Sequence, residues 1–358
     1  MKYTAKLISA DNKKELSDFL SLPGKLYKKS ELMQDRAEEK ALLRGSHILR
    51  RYFRVFPVIA RDESGKVAAR CAVTIYPDRS SAYFGFFECI NDIKAAQALM
   101  KCAESIAKKE GKTSLTGPVD CSFWIRYRLK TDNFGSPYTG EPYNLDYYEK
   151  LLCGCGLESC GEYISNRYGR IPAEYSDGRF SRRLPQFTEK GYELKSPDNS
   201  TFERSLREIY RLIMELYSDF QTFSPITEDE FAAIYSPLKK IVDYSMVKVA
   251  YFHGEAVGFF VSVPDFGNAV RGSITPAKLL KILSTKKKCR QYILLYLGIK
   301  PEHKGLGKAL SEALCQNLAD NGADSVGALI RAGKVNGSYF SQLIKETYSY
   351  RLYSKDIA

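Results

Sequence analysis

A glycine-rich turn between a strand-like and a helix-like segment is the part of the sequence best suited to chemistry. It consists of Lys304, Gly305, Leu306, Gly307 and Lys308 and follows the apolar residues 292–299. Glycines allow consecutive backbone N–H groups to point into one concavity, and the start of a helix adds roughly half a positive charge there. Such a turn is suited to holding a pyrophosphate group.

The turn does not match the common nucleotide-binding motifs. The GxxxxGK[ST] pattern is absent, and the third glycine and the acidic residue of a dinucleotide-binding fingerprint are also missing. The chain lacks the GxSxG elbow of hydrolases and has only three histidines, His47, His253 and His303. Its nine cysteines lack paired CxxC spacing. We therefore predict reduced thiols and no metal.

Length and composition indicate two globular domains. The chain has 358 residues, of which 44% are apolar and 27% charged, enough to bury two cores. Its apolar runs are much shorter than the ~20 residues of a membrane span, and its N-terminus lacks the apolar stretch of a signal peptide. These features predict a cytoplasmic protein with no membrane partner.

Positive charge is concentrated in one part of the sequence. The net charge is +12, and residues 268–301 contain eight lysines and arginines and no acidic residue. Such a local excess argues against nucleic acid as a partner, because that would favour a basic surface spread over the molecule. Two interpretations remain for the run at residues 286–290: a solvated helix face, or a contact for the 3′-phosphate of an anionic ligand.

Two similar successions of strands and amphipathic helices predict an α/β fold of the α+β type with mixed sheets. They occupy residues 1–169 and 191–358, and the arginine- and proline-rich residues 170–190 predict a connector. In the first domain, a helix is expected at 93–110 with Asn91 or Asp92 as its cap. In the second, the predicted elements are a helix at 203–219, a capping box at 227–230, a hairpin of 246–252 and 256–263, a strand at 292–299 and a helix at 307–321.

The segment LGIKPEHKGLGKALSEAL resembles motif A of the GCN5-related N-acetyltransferase (GNAT) superfamily. In that family the strand holds the pantetheine arm of acyl-CoA, and [Q/R]xxGx[G/A] binds its pyrophosphate. The pattern falls on residues 302–307, with Glu302 in place of Gln or Arg. The resemblance implies that acetyl-CoA or another acyl-CoA is bound by Leu297, Gly298, Ile299, His303, Lys304, Gly305, Leu306, Gly307, Lys308 and Asn336.

A resemblance along most of the chain is to bacterial proteins with two GNAT-like domains in tandem. It is carried by segments such as TGPVDCSFW and YNLDYYEKLLCGCGLE. It implies two GNAT-like domains, each a mostly antiparallel twisted sheet flanked by helices. Where motif A would fall in the first domain, the chain has Glu88 and Asp92 and no glycine. We therefore expect a degenerate first domain and an acyl-CoA site in the second alone.

The resemblance implies an N-acetyltransferase, or another N-acyltransferase, that acts on the amine of a small molecule by direct attack in a ternary complex. Backbone N–H groups of residues 295–299 are candidates to stabilise the oxyanion. The tyrosine that protonates the thiolate in many GNAT enzymes falls at Leu343. Tyr339, in a helix predicted at 339–345, and Tyr353, on the last strand, are therefore the candidate acids. The alternatives are an aminoacyl-tRNA-dependent transferase of the Fem type, a lysyl-lipid synthase domain, or a non-catalytic acyl-CoA-binding protein.

Overall fold

The computed structural model describes residues 2–272 and 275–357, which divide into two compact units. Among these residues, the first unit consists of 2–163, 270–272 and 348–357, and the second of Ile164–Ala269 and Thr275–Thr347. The predicted connector 170–190 lies within the second unit, where Phe180 and Phe187 are buried. Burial of these aromatic side chains explains why the segment folds with that unit.

The first unit is a mostly antiparallel sheet with helices. Its helices are α1 (Lys13–Ser21), α2 (Pro23–Leu26), α3 (Arg36–Leu43), α4 (Ile93–Lys109) and α5 (Tyr148–Gly154). Its strands are β1 (Tyr3–Leu7), β2 (Arg54–Asp62), β3 (Val67–Ile75), β4 (Ser81–Cys89), β5 (Ser114–Gly117), β6 (Leu129–Lys130) and the beginning of β7 (Glu158–Tyr168). Strands β1 to β4 pair antiparallel in sequence order, whereas β4 and β5, which α4 connects, are parallel.

The second unit repeats this arrangement. Its helices are α6 (Gly178–Ser181), α7 (Arg183–Glu189), α8 (Phe202–Leu216), α9 (Glu228–Tyr235), α10 (Pro276–Lys287) and α11 (Leu306–Asp320). Its strands are β8 (Tyr192–Lys195), β9 (Val247–Phe252), β10 (Glu255–Pro264), β11 (Gln291–Ile299), β12 (Asp324–Arg331) and the beginning of β13 (Ile344–Asp356). Strands β8 to β11 pair antiparallel, and α11 connects the parallel strands β11 and β12.

Apolar periodicity explains the long helices of both units. Helix α4 buries Ala96, Met100, Ala103 and Ala107 at helical spacing, and the Asp92 side chain caps it, as predicted. The capping box of Thr227 with residue 230 before α9 is also confirmed, with hydrogen bonds in both directions. Each unit therefore has the α+β architecture expected from the sequence.

The helix predicted at residues 339–345 does not form, and this prediction is wrong. One short 3₁₀ turn, Val335–Ser338, precedes the segment, a second, Ser341–Leu343, lies within it, and β13 begins at Ile344. Phe340 has a φ of +51°, which interrupts a right-handed helix, and its ring stacks on Phe180 at 4.1 Å between centroids. In the described part of the chain, no helix is both long and apolar enough to span a bilayer.

Candidate functional site

The parallel strands β11 and β12 separate beside α11. Their pairing extends from Gln291, opposite Asp324, to Leu294, opposite Gly327, and no later pair is found among the described residues. Beyond this point β11 continues to Ile299 alongside β10 alone. A β-bulge interrupts that ladder, because Val261 pairs with Tyr296 whereas Ser262 pairs with Leu294. A cleft therefore opens between the two strands next to Leu295.

The glycine turn lies at the end of β11. Gly305 is the N-cap of α11 and has a φ of +98°, a conformation that glycine adopts without steric cost. No side chain caps this helix. The first N–H groups of an α-helix lack partners in the regular hydrogen-bond ladder, and here the N–H of Lys308 donates to the carbonyl oxygen of Gly305 over 3.1 Å. The turn thus presents backbone donors at the positive end of a 15-residue helix.

Three cationic side chains surround the turn. Lys304 is exposed, and Lys308 lies with its Nζ 5.7 Å from the centre of the Phe180 ring. Arg183, at the start of α7, places its Nη1 3.8 Å from where a Cβ on Gly305 would lie. Arg183 is not among the residues predicted from the sequence, because the arginine-rich segment 170–190 predicts a connector. The segment has four arginines, at 170, 179, 182 and 183, and nothing in the sequence distinguishes the one that approaches the turn.

The remaining residues of the turn serve packing. A Cβ on Gly307 would lie 2.6 Å from Cδ1 of Ile299, so this glycine allows α11 to approach β11 closely. Leu306 is fully buried in the core. The ring Nδ1 of His303 lies 2.7 Å from the hydroxyl of Tyr192, which fixes the turn against β8. These three residues position the turn. Their side chains, or the lack of one at Gly307, serve packing, so they can contact a ligand only through their backbone groups.

The cleft between α11, β11 and β12 is apolar and has a volume of about 80 Å³. It brings together the predicted residues Leu297 and Asn336 with Tyr339. No acidic or basic side chain belongs to its described lining. Gly298, also a predicted residue, lies against Phe259, since a Cβ there would come within 2.5 Å of that ring. The space is suited to an apolar group of a ligand.

Of the two candidate acids, the structure places only Tyr339 in this cleft. Its hydroxyl would lie 3.6 Å from a Cβ on Gly307, and burial raises its pKa, so the phenol stays protonated at neutral pH. Tyr353 lies in the first unit, 1% exposed, and donates to Glu149 Oε1 over 2.5 Å. Its assignment to the site is corrected accordingly, because its hydroxyl is engaged in a core.

A second apolar pocket, of about 60 Å³, lies on the opposite face of the same sheet. Side chains alternate along β10, so Phe260 lines the first pocket and Val261 the second. Helix α8 closes the second pocket with Leu206, Ile209 and Ile213. Leu295, the residue at the bulge, lines both pockets. Two apolar compartments therefore approach β11 from its two faces.

The basic run at residues 286–290 lies at the other end of β11. Lys286 Nζ lies 3.5 Å from the carbonyl oxygen of Lys240, and Arg290 lies beside Gly322, just after the end of α11. The turn at Gly305 is at the beginning of α11, and a 15-residue helix is about 22 Å long. The interpretation that this run contacts the 3′-phosphate of a ligand at the turn is therefore wrong.

The corresponding place in the first unit has a different chemistry. Helix α4 begins at the end of β4, but Asp92 accepts hydrogen bonds from the N–H of Lys94 and the hydroxyl of Tyr3. Glu88 is buried, accepts a hydrogen bond from the hydroxyl of Tyr148 over 2.7 Å, and lies 3.8 Å from Arg70. At the start of α4 a carboxylate thus accepts the hydrogen bond of a backbone N–H group, whereas no side chain does so at the start of α11 in the second unit.

Comparisons with known proteins agree with this architecture. No protein-family profile matches the sequence. The chain is 27% identical over 222 residues to the bacterial ceramide synthase of Caulobacter vibrioides, a match that covers 58% of this chain and 56% of that protein. It is 21% identical over 378 residues to the protein YghO of Escherichia coli, covering 97% and 94% of the two chains.

The likeness extends to solved structures. A tandem GNAT protein from the clavulanic acid biosynthesis pathway superposes with a TM-score of 0.55 at 10% identity, over 100% of this chain and 99% of that one. At this identity the comparison establishes the fold. The chain therefore has the tandem GNAT fold, as its sequence motifs predicted.

Proposed function

We propose that this protein is an acyl-CoA-dependent N-acyltransferase, with acetyl-CoA or a longer acyl-CoA as donor. The observation that carries the proposal is the meeting of two apolar pockets at Leu295, close to a turn suited to pyrophosphate. A bisubstrate reaction needs two compartments that reach one point, so that donor and acceptor are held in position for direct attack. The tandem GNAT fold supports the same class of reaction.

Each part of the site has a distinct role in this proposal. Backbone N–H groups at the start of α11, with Lys304, Lys308 and Arg183, would hold the pyrophosphate. Acyl-CoA supplies a thioester, whose acyl group an amine can accept. Backbone N–H groups of β11 beyond Leu294, where pairing with β12 ends, would donate to a developing oxyanion. Tyr339 is the candidate donor of a proton to the sulfur.

The pocket on the α8 face supports an acceptor amine that carries a hydrocarbon chain. Its described lining contains no acidic or basic side chain, so it offers nothing that would compensate a buried charge. One relative is named a bacterial ceramide synthase, and a ceramide is an amide with a long apolar chain. We therefore propose a small-molecule amine with an apolar chain as acceptor.

Incubation of the purified protein with acyl-CoA and paired amines tests the proposal. Ethanolamine and a long-chain amino alcohol form such a pair, because they share a headgroup and differ in the chain. We expect thiol release and an amide product, detected by mass spectrometry, with the long-chain amine preferred. Binding of acyl-CoA without transfer to any amine would favour a non-catalytic binding protein. Transfer from aminoacyl-tRNA instead of acyl-CoA would overturn the proposed donor.

A further inference from the structure

Helix α10 of the second unit exposes a stripe of leucines. Leu279, Leu280 and Leu283 are 38%, 70% and 43% exposed, whereas Ile282 of the same helix is buried. At 100° per residue, the three leucines lie within a sector of about 100° on the helix surface. Six large apolar side chains are exposed among the described residues, and this helix carries three of them. The stripe is therefore a local feature of α10.

Positive charge surrounds the leucines. Helix α10 carries lysines at 278, 281, 286 and 287, followed by Lys288 and Arg290. Lys239 and Lys240 adjoin them, since Lys286 Nζ lies 3.5 Å from the carbonyl oxygen of Lys240. The sequence has no acidic residue from 268 to 301. We call α10 with Lys239, Lys240 and Lys288 the basic patch.

We propose that the basic patch docks the protein on the surface of an anionic lipid bilayer. Lysines beside an exposed apolar stripe fit this partner, because anionic headgroups attract the lysines while the acyl boundary accepts the leucines. Nucleic acid offers phosphates but no apolar phase for three leucines. A protein partner would need a much larger apolar area than three side chains provide.

This placement leaves the candidate site accessible. The patch lies at the beginning of β11 and the glycine turn at its end, about 30 Å apart for a strand of nine residues. The expectation of no membrane partner rested on the lack of a spanning segment, and surface binding needs none. Docking also does not depend on the proposed transferase activity, because its test requires neither acyl-CoA nor an amine.

Co-sedimentation with vesicles tests the proposal. We expect the whole protein to bind vesicles of phosphatidylcholine containing about 30% phosphatidylglycerol at least about tenfold more tightly than pure phosphatidylcholine. Raising the salt concentration from about 0.1 to about 0.5 M should weaken binding at least about tenfold. Equal binding to both kinds of vesicle, or to neither, would overturn the proposal.

Matched variants locate the contact. Changing Leu279, Leu280 and Leu283 together to Gln, or the lysines 281, 286, 287 and 288 together to Gln, should each weaken binding at least about tenfold. The control changes Lys94, Lys101, Lys108 and Lys109 of α4 to Gln, an equal loss of charge on exposed lysines of the first unit. An equal effect of this control would overturn the proposal in favour of diffuse attraction.

A fluorescent variant keeps the test independent of protein stability. Leu280→Trp places an indole at the most exposed leucine, whereas the single native tryptophan, Trp124, is 6% exposed. We expect its emission to shift to shorter wavelength on anionic vesicles and to be quenched by brominated lipids. Binding without this shift, or tighter binding to an RNA of equal charge than to vesicles, would overturn the lipid assignment.

Discussion

At the scale of single residues, Arg183 gives the most direct test of the pyrophosphate site. Arg183→Gln should weaken acyl-CoA binding about 10- to 100-fold, because a charge-assisted hydrogen bond contributes roughly 1.5–3 kcal/mol. Arg179→Gln is the matched control, since Arg179 is exposed and its Nη2 is paired with Asp177 at 2.6 Å. Isothermal titration with CoA compares the two variants. Equal losses would mean that Arg183 has no specific contact with the ligand.

The proton donor can be tested at the same scale. Tyr339→Phe should lower kcat at least about tenfold without weakening acyl-CoA binding, because only the hydroxyl is lost. Burial raises the pKa of Tyr339, so this phenol remains protonated as pH rises from 7 to about 9 and should cause no loss of rate over that range.

Tyr353→Phe is the control for this prediction. It should lower the melting temperature, because it leaves Glu149 with one partner fewer, and leave kcat unchanged. An unchanged kcat in Tyr339→Phe would remove this residue from the chemistry.

At the scale of elements, the two faces of β11 should respond to different variants. Ile209→Phe places a larger side chain in the pocket beside α8 and so leaves less space there. It should raise KM for a long-chain amine, without changing the Kd of acyl-CoA. Ser311 of α11 lines the cleft on the other face. Ser311→Leu places a larger side chain in that cleft and should weaken acyl-CoA binding. Steady-state kinetics and titration measure both quantities. If each variant weakened the binding of both substrates, this result would contradict the assignment of the two substrates to opposite faces of the sheet.

Elements set by local pattern were predictable from the sequence, and those set by tertiary packing were not. The helix after the glycine turn follows from the spacing of Leu306, Leu310 and Leu314, and α11 confirms it. The helix predicted at 339–345 fails because Phe340 stacks on Phe180, a residue 160 positions away in the chain. The sequence pattern predicts neither the bulge at Leu295 nor the approach of Arg183 to the turn.

At the scale of the whole molecule, the two units have the same order of strands and helices. They differ in the chemistry at the N-terminus of the helix that connects the two parallel strands, α4 in the first unit and α11 in the second. In the second unit Gly305 leaves the first N–H groups of α11 without a side-chain cap. In the first, Asp92 caps α4, and its pKa is lowered by the hydroxyl of Tyr3 and the N–H of Lys94. This cap therefore stabilises the first unit above pH ~4 and is lost as pH falls through the lowered pKa.

The difference between the two helix starts predicts one acyl-CoA per chain. A ligand phosphate at α4 would have to displace the carboxylate of Asp92 or lie beside it, and like charges at about 4 Å repel by ~4 kcal/mol at an effective dielectric constant of 20. Titration should therefore give a stoichiometry of one. At a hundred times Kd the ligand stabilises its unit by about 2.7 kcal/mol, which raises the melting temperature by a few degrees.

Two variants assign that single site. Gly305→Asp should abolish binding, because it gives α11 a carboxylate cap like that of α4, in a backbone conformation that side chains rarely adopt. Asn91→Asp adds a carboxylate at an exposed position before α4 and should leave both affinity and stoichiometry unchanged. A stoichiometry of two, or loss of binding in Asn91→Asp, would place an acyl-CoA site in the first unit.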